Sequence, residues 1–301
     1  MFSPKTEFGR HSLGIGLYLT GVFFFAVNDA LGKWLVSHYG VGEMLFIRSI
    51  GGVGMLVPIA FYLGVSLRIR GDWGLQVLRI LAQTLDSYCF YYATRYLPLA
   101  DVMTFYMAGP IIVTAISAVA LGERVGRYRW SAVIIGFVGV VIALAPSGST
   151  AFHPAALVAL LGSTSFAISL AMTRKLRDNH PFALVVWQYI GSGLIGAGIS
   201  PLEWATPDLR DWGLLLLLGM VSAGCFVLIS RALALAQASL LAPFQYSAIL
   251  WAAIFGWMFW ADIPTPRIIL GNAILIASGL FVFYRERRLA VSVSDRVEQI
   301  P

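Results

Sequence analysis

Long apolar runs alternate with short polar connectors along most of the chain. The clearest example is residues 96–144, where two apolar runs are joined by a basic turn at 121–127. Each run has about 15–24 residues, close to the length that a helix needs to cross a hydrocarbon core of roughly 30 Å. The pattern therefore predicts two membrane helices joined by a short basic turn.

The same pattern repeats from end to end. The connectors are rich in Gly, Pro, Ser and charge, and they leave no room for a separate soluble domain. The predicted fold class is therefore an all-α integral membrane protein with ten transmembrane helices. The apolar segments are 13–36, 41–63, 73–94, 98–121, 130–145, 154–173, 181–199, 212–233, 239–261 and 267–284.

Composition agrees with this interpretation and excludes several classes of function. Hydrophobic residues make up 58% of the chain and charged residues 12%, whereas a soluble domain carries about 25% charge. The net charge of +6 comes without a basic cluster that alternates with exposed aromatic residues, so nucleic-acid binding is rejected. No metal-ligand cluster, nucleotide-binding loop or Ser-His-Asp set is apparent, and Cys89 and Cys225 both fall inside apolar runs. We expect no cofactor, no metal and no disulfide framework.

The distribution of basic residues predicts the orientation. Fifteen of the 21 Lys and Arg residues lie in the terminal segments and alternate connectors that would share one side, and four lie on the other. Because cytoplasmic loops carry the basic excess, both termini are expected in the cytoplasm.

The two halves of the chain repeat. The tetrapeptide Asp-Trp-Gly-Leu at 72–75 returns at 211–214, and Phe-Ala at 25–26 returns at 166–167. Five helices are an odd number, so the second half must enter the membrane from the opposite side. The sequence therefore predicts two inverted five-helix repeats at 13–145 and 154–284, followed by a cytoplasmic tail at 285–301. In transporters of this plan the substrate site lies near the midplane, between the halves.

Four motifs of the first half carry a resemblance to a known family. They are Pro-Leu-Ala-Asp at 98–101, the mid-run Pro110, Leu-Gly-Glu-Arg at 121–124 and Gly-x-x-Gly at 136–139. Together they resemble the first repeat of the EamA family of the drug/metabolite transporter superfamily, and the resemblance extends over about residues 13–285. It implies a secondary transporter of a small organic metabolite. The chain looks more like the bacterial branch with riboflavin and S-adenosylmethionine carriers than like the amino-acid exporters.

Charges inside the first two apolar segments are candidates for function, because a charge at a helix centre costs roughly 2.5–3.5 kcal/mol. Asp29 and Lys33 are four residues apart on one helix face and can pair. Asp29 and Arg48 each lie roughly 10 Å below the outer surface, so these two residues can meet across the helices. The charge pair that Asp29 forms with Lys33 or Arg48 has either a structural role or a role in substrate binding or gating.

The third segment carries a polar stripe. Arg79, Gln83, Asp86 and Phe90 follow one another at steps of four, three and four residues and so share one helix face. Lipid satisfies no polar group, so this face must line a cavity or contact another helix.

Prolines and aromatic residues complete the candidate site. Pro110 and Pro243 are expected to kink the fourth and ninth segments, as hinges or only as features of shape. The mid-span aromatics Tyr106, Tyr246 and Trp251 offer flat faces for stacking, and Gln245 adds a polar group. The predicted substrate-binding residues are Asp29, Arg48, Gln83, Asp86, Tyr106, Gln245, Tyr246 and Trp251.

These features favour a secondary transporter that works by alternating access in the bacterial inner (cytoplasmic) membrane, as a monomer or a homodimer. Flat aromatic faces beside neutral polar groups favour riboflavin uptake. The alternatives are an S-adenosylmethionine carrier or an exporter of amino acids or other metabolites. An integral-membrane enzyme would need a catalytic cluster at one membrane face, and the short, chemically plain loops argue against it.

Overall fold

The fold is a bundle of helices. The computed structural model describes residues 7–97, 99–106, 109–120, 126–144 and 154–260, together with 269–270, 273–274, 277–278, 281 and 284. These parts contain helices and turns but no strand. The α-helices are α1 (Glu7–Val36), α2 (Val41–Tyr62), α3 (Trp73–Tyr96), α4 (Leu99–Tyr106), α5 (Gly109–Ala120), α6 (Arg127–Leu144), α7 (Pro154–Lys175), α8 (Pro181–Ile199), α9 (Leu209–Leu235), α10 (Ala238–Leu241) and α11 (Ser247–Trp260). Two 3-10 helices lie at Ser200–Leu202 and Ala242–Tyr246.

Side chains just outside the helices fix where several of them begin. The carboxylate of Asp72 accepts hydrogen bonds from the first backbone N–H groups of α3, and Asp208 does the same for α9. His180 caps α8, whose first residue is Pro181. Such caps satisfy donors that have no partner within the helix.

Five described helices are long and apolar enough to cross a membrane. The spans, by length and composition, are Gly9–Val36, Val41–Tyr62, Pro154–Lys175, Pro181–Leu202 and Leu209–Leu235. They coincide with the first, second, sixth, seventh and eighth predicted segments. The third segment forms α3 but is more polar, and the fifth forms the shorter α6. Only eight of the 18 residues of the tenth segment are among the described residues, so the prediction of ten helices stays a prediction.

The fourth and ninth segments differ from the continuous helices that the pattern suggested. The fourth forms α4 and α5, and residues 107–108 between them are outside the described part. The ninth consists of α10, a 3-10 helix and α11. Pro243 lies in the first turn of that 3-10 helix, and because proline has no N–H to donate, it favours a break in the α-helical pattern there.

Packing follows the repeat. The most extensive contacts are those of α3 with α7, α1 with α9, and α2 with α8. Suppose that α1, α2 and α3 correspond to α7, α8 and α9. The contact of α3 with α7 then corresponds to the contact of α9 with α1, and the contact of α2 with α8 corresponds to itself. This is the contact pattern expected of two halves with equivalent helix arrangements.

One face of α3 is polar and buried, and the other is apolar and exposed. Arg79 is 1% exposed and Asp86 is 7% exposed, whereas Val77, Leu81 and Leu85 are 41–51% exposed. The apolar face is suited to lipid, and the polar stripe points into the bundle, where protein groups can satisfy it.

Candidate functional site

A cavity of about 110 Å³ lies in the middle of the bundle, between helices of both halves. Its aromatic lining includes Phe25 and Phe166, which occupy equivalent positions in the two repeats. Its polar lining comes mainly from α1, α2 and α3. This volume is smaller than the roughly 300–1,000 Å³ of typical small-molecule sites. The polar and ionisable lining residues are Tyr18, Asn28, Asp29, Arg48, Asp86, Ser87, Tyr91, Tyr106 and Gln245.

Arg48 contributes the positive charge of this cavity, and neutral groups hold it in place. Its Nη1 donates to the hydroxyl of Tyr91 over 3.2 Å, and its Nη2 donates to the hydroxyl of Ser87 over 3.1 Å. The guanidinium also lies 5.6 Å from the ring centroid of Tyr91 and 5.9 Å from that of Tyr189. Its buried Nε has no hydrogen-bond partner. The guanidinium is therefore fixed in position while retaining an unused donor.

Asp86 has the opposite charge and is also incompletely satisfied. Its Oδ2 accepts a hydrogen bond from Gln83 Nε2 over 2.6 Å, and its Oδ1 is buried without a partner. The hydroxyl of Tyr106 donates to the backbone carbonyl of Asp86 over 3.1 Å, which fixes this turn of α3 against α4. A buried acceptor without a donor costs roughly 1–3 kcal/mol, so Oδ1 is suited to receive a ligand group.

Asp29 adds a second carboxylate, half-buried on α1, to the same cavity. The neighbouring Asn28 instead joins α1 to α9, because its Nδ2 donates to the carbonyl of Leu218 over 2.8 Å. Asp29 and Arg48 face one cavity, but in the described structure they do not form the direct ion pair that the sequence suggested. Arg48 contacts hydroxyl groups instead. Lys33, one turn further along α1, does not line the cavity.

The rest of the polar stripe on α3 serves helix packing. Gln83 is held by Ser169 of α7, whose hydroxyl donates to Oε1 over 2.9 Å. Arg79 donates through Nε to Thr173 Oγ1, through Nη1 to the carbonyl of Leu184 and through Nη2 to Gln188 Oε1, over 2.6, 3.0 and 2.8 Å. The structure thus divides the stripe: Asp86 and Phe90 line the cavity, and Arg79 and Gln83 connect α3 to α7 and α8.

Two of the three expected stacking aromatics lie elsewhere. Tyr246 is fully buried, and its hydroxyl donates to the carbonyl of Val133 in α6 over 2.9 Å. Trp251 packs edge-on against Phe23, with ring centroids 4.7 Å apart. Neither lines the cavity, so the structure does not bring Tyr246 and Trp251 together with the other predicted substrate-binding residues. Tyr106 and Gln245 do line it, and Gln245 Oε1 is buried without a partner.

The two proposed hinges have different outcomes. The side chain of Pro110 is outside the described residues, although α5 begins at Gly109. Pro243 is buried in the 3-10 helix that also carries Gln245. A change in this short helix would move Gln245 relative to the cavity.

Ser87, Tyr91 and Tyr18 are lining residues that the sequence did not single out. Ser87 and Tyr91 are four residues apart on α3 and beside Asp86, a spacing that could have identified them as partners for a charge on another helix. Nothing in the pattern marks Tyr18. Within the described residues, no group of three His, Cys, Asp or Glu side chains could hold a metal ion.

Comparison with known proteins identifies the family. The model of the EamA-like transporter family matches residues 12–145 and 153–284. The chain belongs to this family. Its two matched stretches agree with the two structurally equivalent halves, and together with the five apolar spans they make the chain a multi-pass membrane protein. The resemblance seen in the sequence motifs is therefore confirmed.

Curated relatives of this EamA chain are named as transporters of different molecules. The pseudopaline exporter of Pseudomonas aeruginosa is 28% identical over 269 residues, which are 88% of this chain and 94% of the relative. The S-adenosylmethionine uptake transporter of Rickettsia bellii is 24% identical, over 92% of this chain and 96% of the relative. The riboflavin transporter of Vibrio cholerae is 25% identical, over 88% and 90%.

A solved crystal structure shares the fold. It superposes with a TM-score of 0.79 at 15% identity, and the match covers 91% of this chain and 98% of that one. At this identity the likeness concerns the fold alone.

Proposed function

We propose that this protein is a secondary carrier of small dipolar metabolites with one net positive charge, of the S-adenosylmethionine type. One observation supports this most directly. Among the described residues, a single guanidinium and two carboxylates face one central cavity, and buried atoms of Arg48, Asp86 and Gln245 there have no hydrogen-bond partner.

The charges determine the class of substrate. Arg48 offers an unused donor for a carboxylate, and Asp29 and Asp86 offer acceptors for an ammonium or another cationic group. A cavity with two negative charges and one positive charge is best complemented by a ligand with two positive charges and one negative charge. S-adenosylmethionine has this pattern in its ammonium, its sulfonium and its carboxylate. The aromatic lining from Phe25, Phe90 and Phe166 suits its adenine ring.

Riboflavin, which the sequence favoured, fits this cavity less well. The argument for it used Tyr246 and Trp251 as stacking faces and Gln83 as a cavity amide, and all three lie outside the cavity lining. Neutral riboflavin would also supply no counter-charge for the one carboxylate that Arg48 does not compensate, which is costly at low dielectric. S-adenosylmethionine is therefore the preferred candidate.

The transport cycle that suits this arrangement is alternating access. The cavity lies between the two halves of the chain. In a transporter built from inverted repeats, each half can close the cavity on one side of the membrane, so that the cavity opens to the two sides in turn. The basic connectors favour a cytoplasmic location for both termini, and the named bacterial relatives favour the inner membrane of a bacterium.

The substrate is tested with the purified protein in proteoliposomes. We expect entry of labelled S-adenosylmethionine that unlabelled S-adenosylmethionine inhibits and riboflavin does not. Arg48→Gln and Asp29→Asn should each reduce entry at least tenfold, because a hydrogen bond to a charged group contributes about 1.5–3 kcal/mol. Arg210→Gln, at an exposed arginine, is the matched control. Competition by riboflavin alone would contradict the assignment.

The orientation is tested separately with single cysteines. Cys89 and Cys225 are buried and provide a low background in intact cells. A cysteine at exposed Arg127 should resist a membrane-impermeant thiol reagent, and one at exposed Arg210 should react. The reverse pattern would invert the topology.

A further inference from the structure

Asp86 is a buried carboxylate whose charge is not compensated by a direct ion pair. It is 7% exposed, and its carboxylate accepts a hydrogen bond from the neutral amide of Gln83. In a low-dielectric cavity such a group is neutralised by a proton or by a cationic ligand. We propose that a proton occupies Asp86 when the cavity is empty and that the cationic group of the substrate displaces it, so that the carrier exchanges substrate for protons.

The charges around Asp86 support one proton. At neutral pH the thiol and phenol groups near the cavity are uncharged, so among the described lining residues Arg48 carries one positive charge and Asp29 and Asp86 carry two negative charges. One bound proton makes the empty cavity neutral. The described titratable groups that face this region are Tyr18 and Asp29 on α1, Arg48 on α2, Cys89 and Tyr91 on α3, Tyr106 on α4, Tyr189 on α8 and Cys225 on α9.

The geometry favours Asp86 over Asp29 as the site of this proton. Asp29 is half-buried, and neither of its carboxylate oxygens is both fully buried and without a hydrogen-bond partner. Asp86 has such an oxygen, Oδ1. A carboxyl group that carries a proton on Oδ1 keeps Oδ2 as an acceptor, so the hydrogen bond from Gln83 is retained in both protonation states.

Ser169 makes this arrangement specific. Its hydroxyl donates to Gln83 Oε1, which turns the NH₂ end of the amide towards Asp86 Oδ2. Gln83 is therefore a positioning residue that occupies one carboxylate oxygen and leaves the other for the proton or the substrate cation.

The exchange balances charge and protons. On one side of the membrane, the protonated carboxyl of Asp86 releases its proton to water and the cationic group of the substrate pairs with the carboxylate. On the other side the substrate leaves and a proton returns to Asp86. Each cycle moves one monocationic substrate in one direction and one proton in the other, without net charge transfer.

A first test needs no substrate. Infrared spectra of the purified protein in lipid nanodiscs at neutral pH should show the C=O stretching band of a protonated carboxyl group. This band should persist in Asp29→Asn, disappear in Asp86→Asn and shift in Asp86→Glu. Because Asp86→Glu keeps a carboxyl group, it still tests the assignment if Asp86→Asn does not fold. A wild-type spectrum without the band, or a band that Asp86→Glu leaves unshifted, would overturn the proposal.

A second test uses S-adenosylmethionine in proteoliposomes, and here the inference rests on the proposed function. A transmembrane pH gradient alone should accumulate the labelled compound on the acidic side, by up to about tenfold per pH unit for one-for-one exchange. Saturable entry that does not depend on the pH gradient would refute the exchange of substrate for protons, but it would still agree with the proposed carrier function. If no entry occurs, the substrate assignment fails, and the infrared test still decides whether Asp86 carries the proton.

Discussion

Two arginines lie deep in the helix bundle, and they differ in how their hydrogen-bonding capacity is used. Arg79 is 1% exposed and donates from all three guanidinium nitrogens to acceptors on α7 and α8. Arg48 is 5% exposed, contacts two hydroxyl groups and leaves Nε without a partner beside the cavity. The first arrangement is complete without a ligand, and the second is not.

This difference separates a structural charge from a functional one. Both arginines interrupt apolar segments, and by insertion cost alone both are candidates for function. The deciding observation is whether neutral protein groups already satisfy the buried charge. The following predictions test that distinction, beginning with the largest expected effect.

Substitution of Arg79 should destabilise the fold most. Arg79→Leu removes the hydrogen bonds to Thr173, Leu184 and Gln188. The Leu184 carbonyl keeps the hydrogen bond from Gln76 Nε2, but a buried acceptor left without a donor costs roughly 1–3 kcal/mol. We expect a large loss of folded protein in the membrane and a lower melting temperature in detergent. Arg68→Leu, at an exposed connector residue, is the control. A stable Arg79→Leu protein without transport would instead place Arg79 in the substrate pathway.

Substitution of Arg48 should affect binding more than stability. In Arg48→Gln the shorter amide keeps a polar group beside Ser87 and Tyr91 but loses the charge. Binding of S-adenosylmethionine to the solubilised protein should weaken about 10- to 100-fold, since a hydrogen bond to a charged group contributes about 1.5–3 kcal/mol. The melting temperature should change little. If affinity is unchanged and the protein unfolds more readily, Arg48 belongs with Arg79.

The position of Arg48 also depends on a close approach of two helices. A Cβ atom at Gly219 of α9 would overlap the carbonyl oxygen of Arg48 on α2. Gly219→Ala should therefore force the helices apart, cost about 1–3 kcal/mol of stability and reduce transport. Gly54→Ala, where a Cβ would contact nothing within 4 Å, provides the control in α2. Equal melting temperatures for the two variants would contradict this packing.

The smallest effect concerns the start of α8, where Arg79 also binds. The ring of His180 accepts a hydrogen bond from the N–H of Phe182, so it caps the helix in its unprotonated form. Burial lowers the pKa of His180 below its ordinary value. The unfolded chain therefore binds the proton more readily, and this stabilisation is present above the ordinary histidine pKa and lost as the pH falls below it.

The variant His180→Asn keeps a good cap that does not titrate in this range. Between about pH 7 and pH 5, where an ordinary histidine titrates, the melting temperature of the wild type should fall more than that of His180→Asn. Parallel curves for the two proteins would show that the His180 cap contributes nothing measurable.

Much of the architecture followed from sequence because lipid imposes strict rules. Apolar runs gave the helices, the repeated tetrapeptide indicated two related halves, and the spacing of Arg79, Gln83 and Asp86 identified one polar face of α3. Periodicity specifies which residues share a face but does not say which helix packs against it. The sequence therefore could not divide the stripe between the cavity and the contacts with α7 and α8.

The sequence also does not specify which helices face one another, and this is why the proposed substrate changed from riboflavin to S-adenosylmethionine. Tyr246 and Trp251 have suitable depth and chemistry, but their rings are directed towards Val133 and Phe23 by contacts between distant helices. Ser87 and Tyr91 matter because they face Arg48 of another helix. Such neighbours are set by the crossing of α2 and α3, which hydropathy does not encode.

The main helix contacts join the first half of the chain to the second half, and this has a consequence for biosynthesis. Within the first half, α1, α2 and α3 pack sparingly on one another, and their main partners are α7, α8 and α9. Asn28 and Arg79 thus acquire their acceptors only after the second half has been synthesised. The nascent first half must remain in the bilayer with these groups unsatisfied, and it depends on the insertion machinery, lipid headgroups or water to protect them until the ribosome has delivered α9.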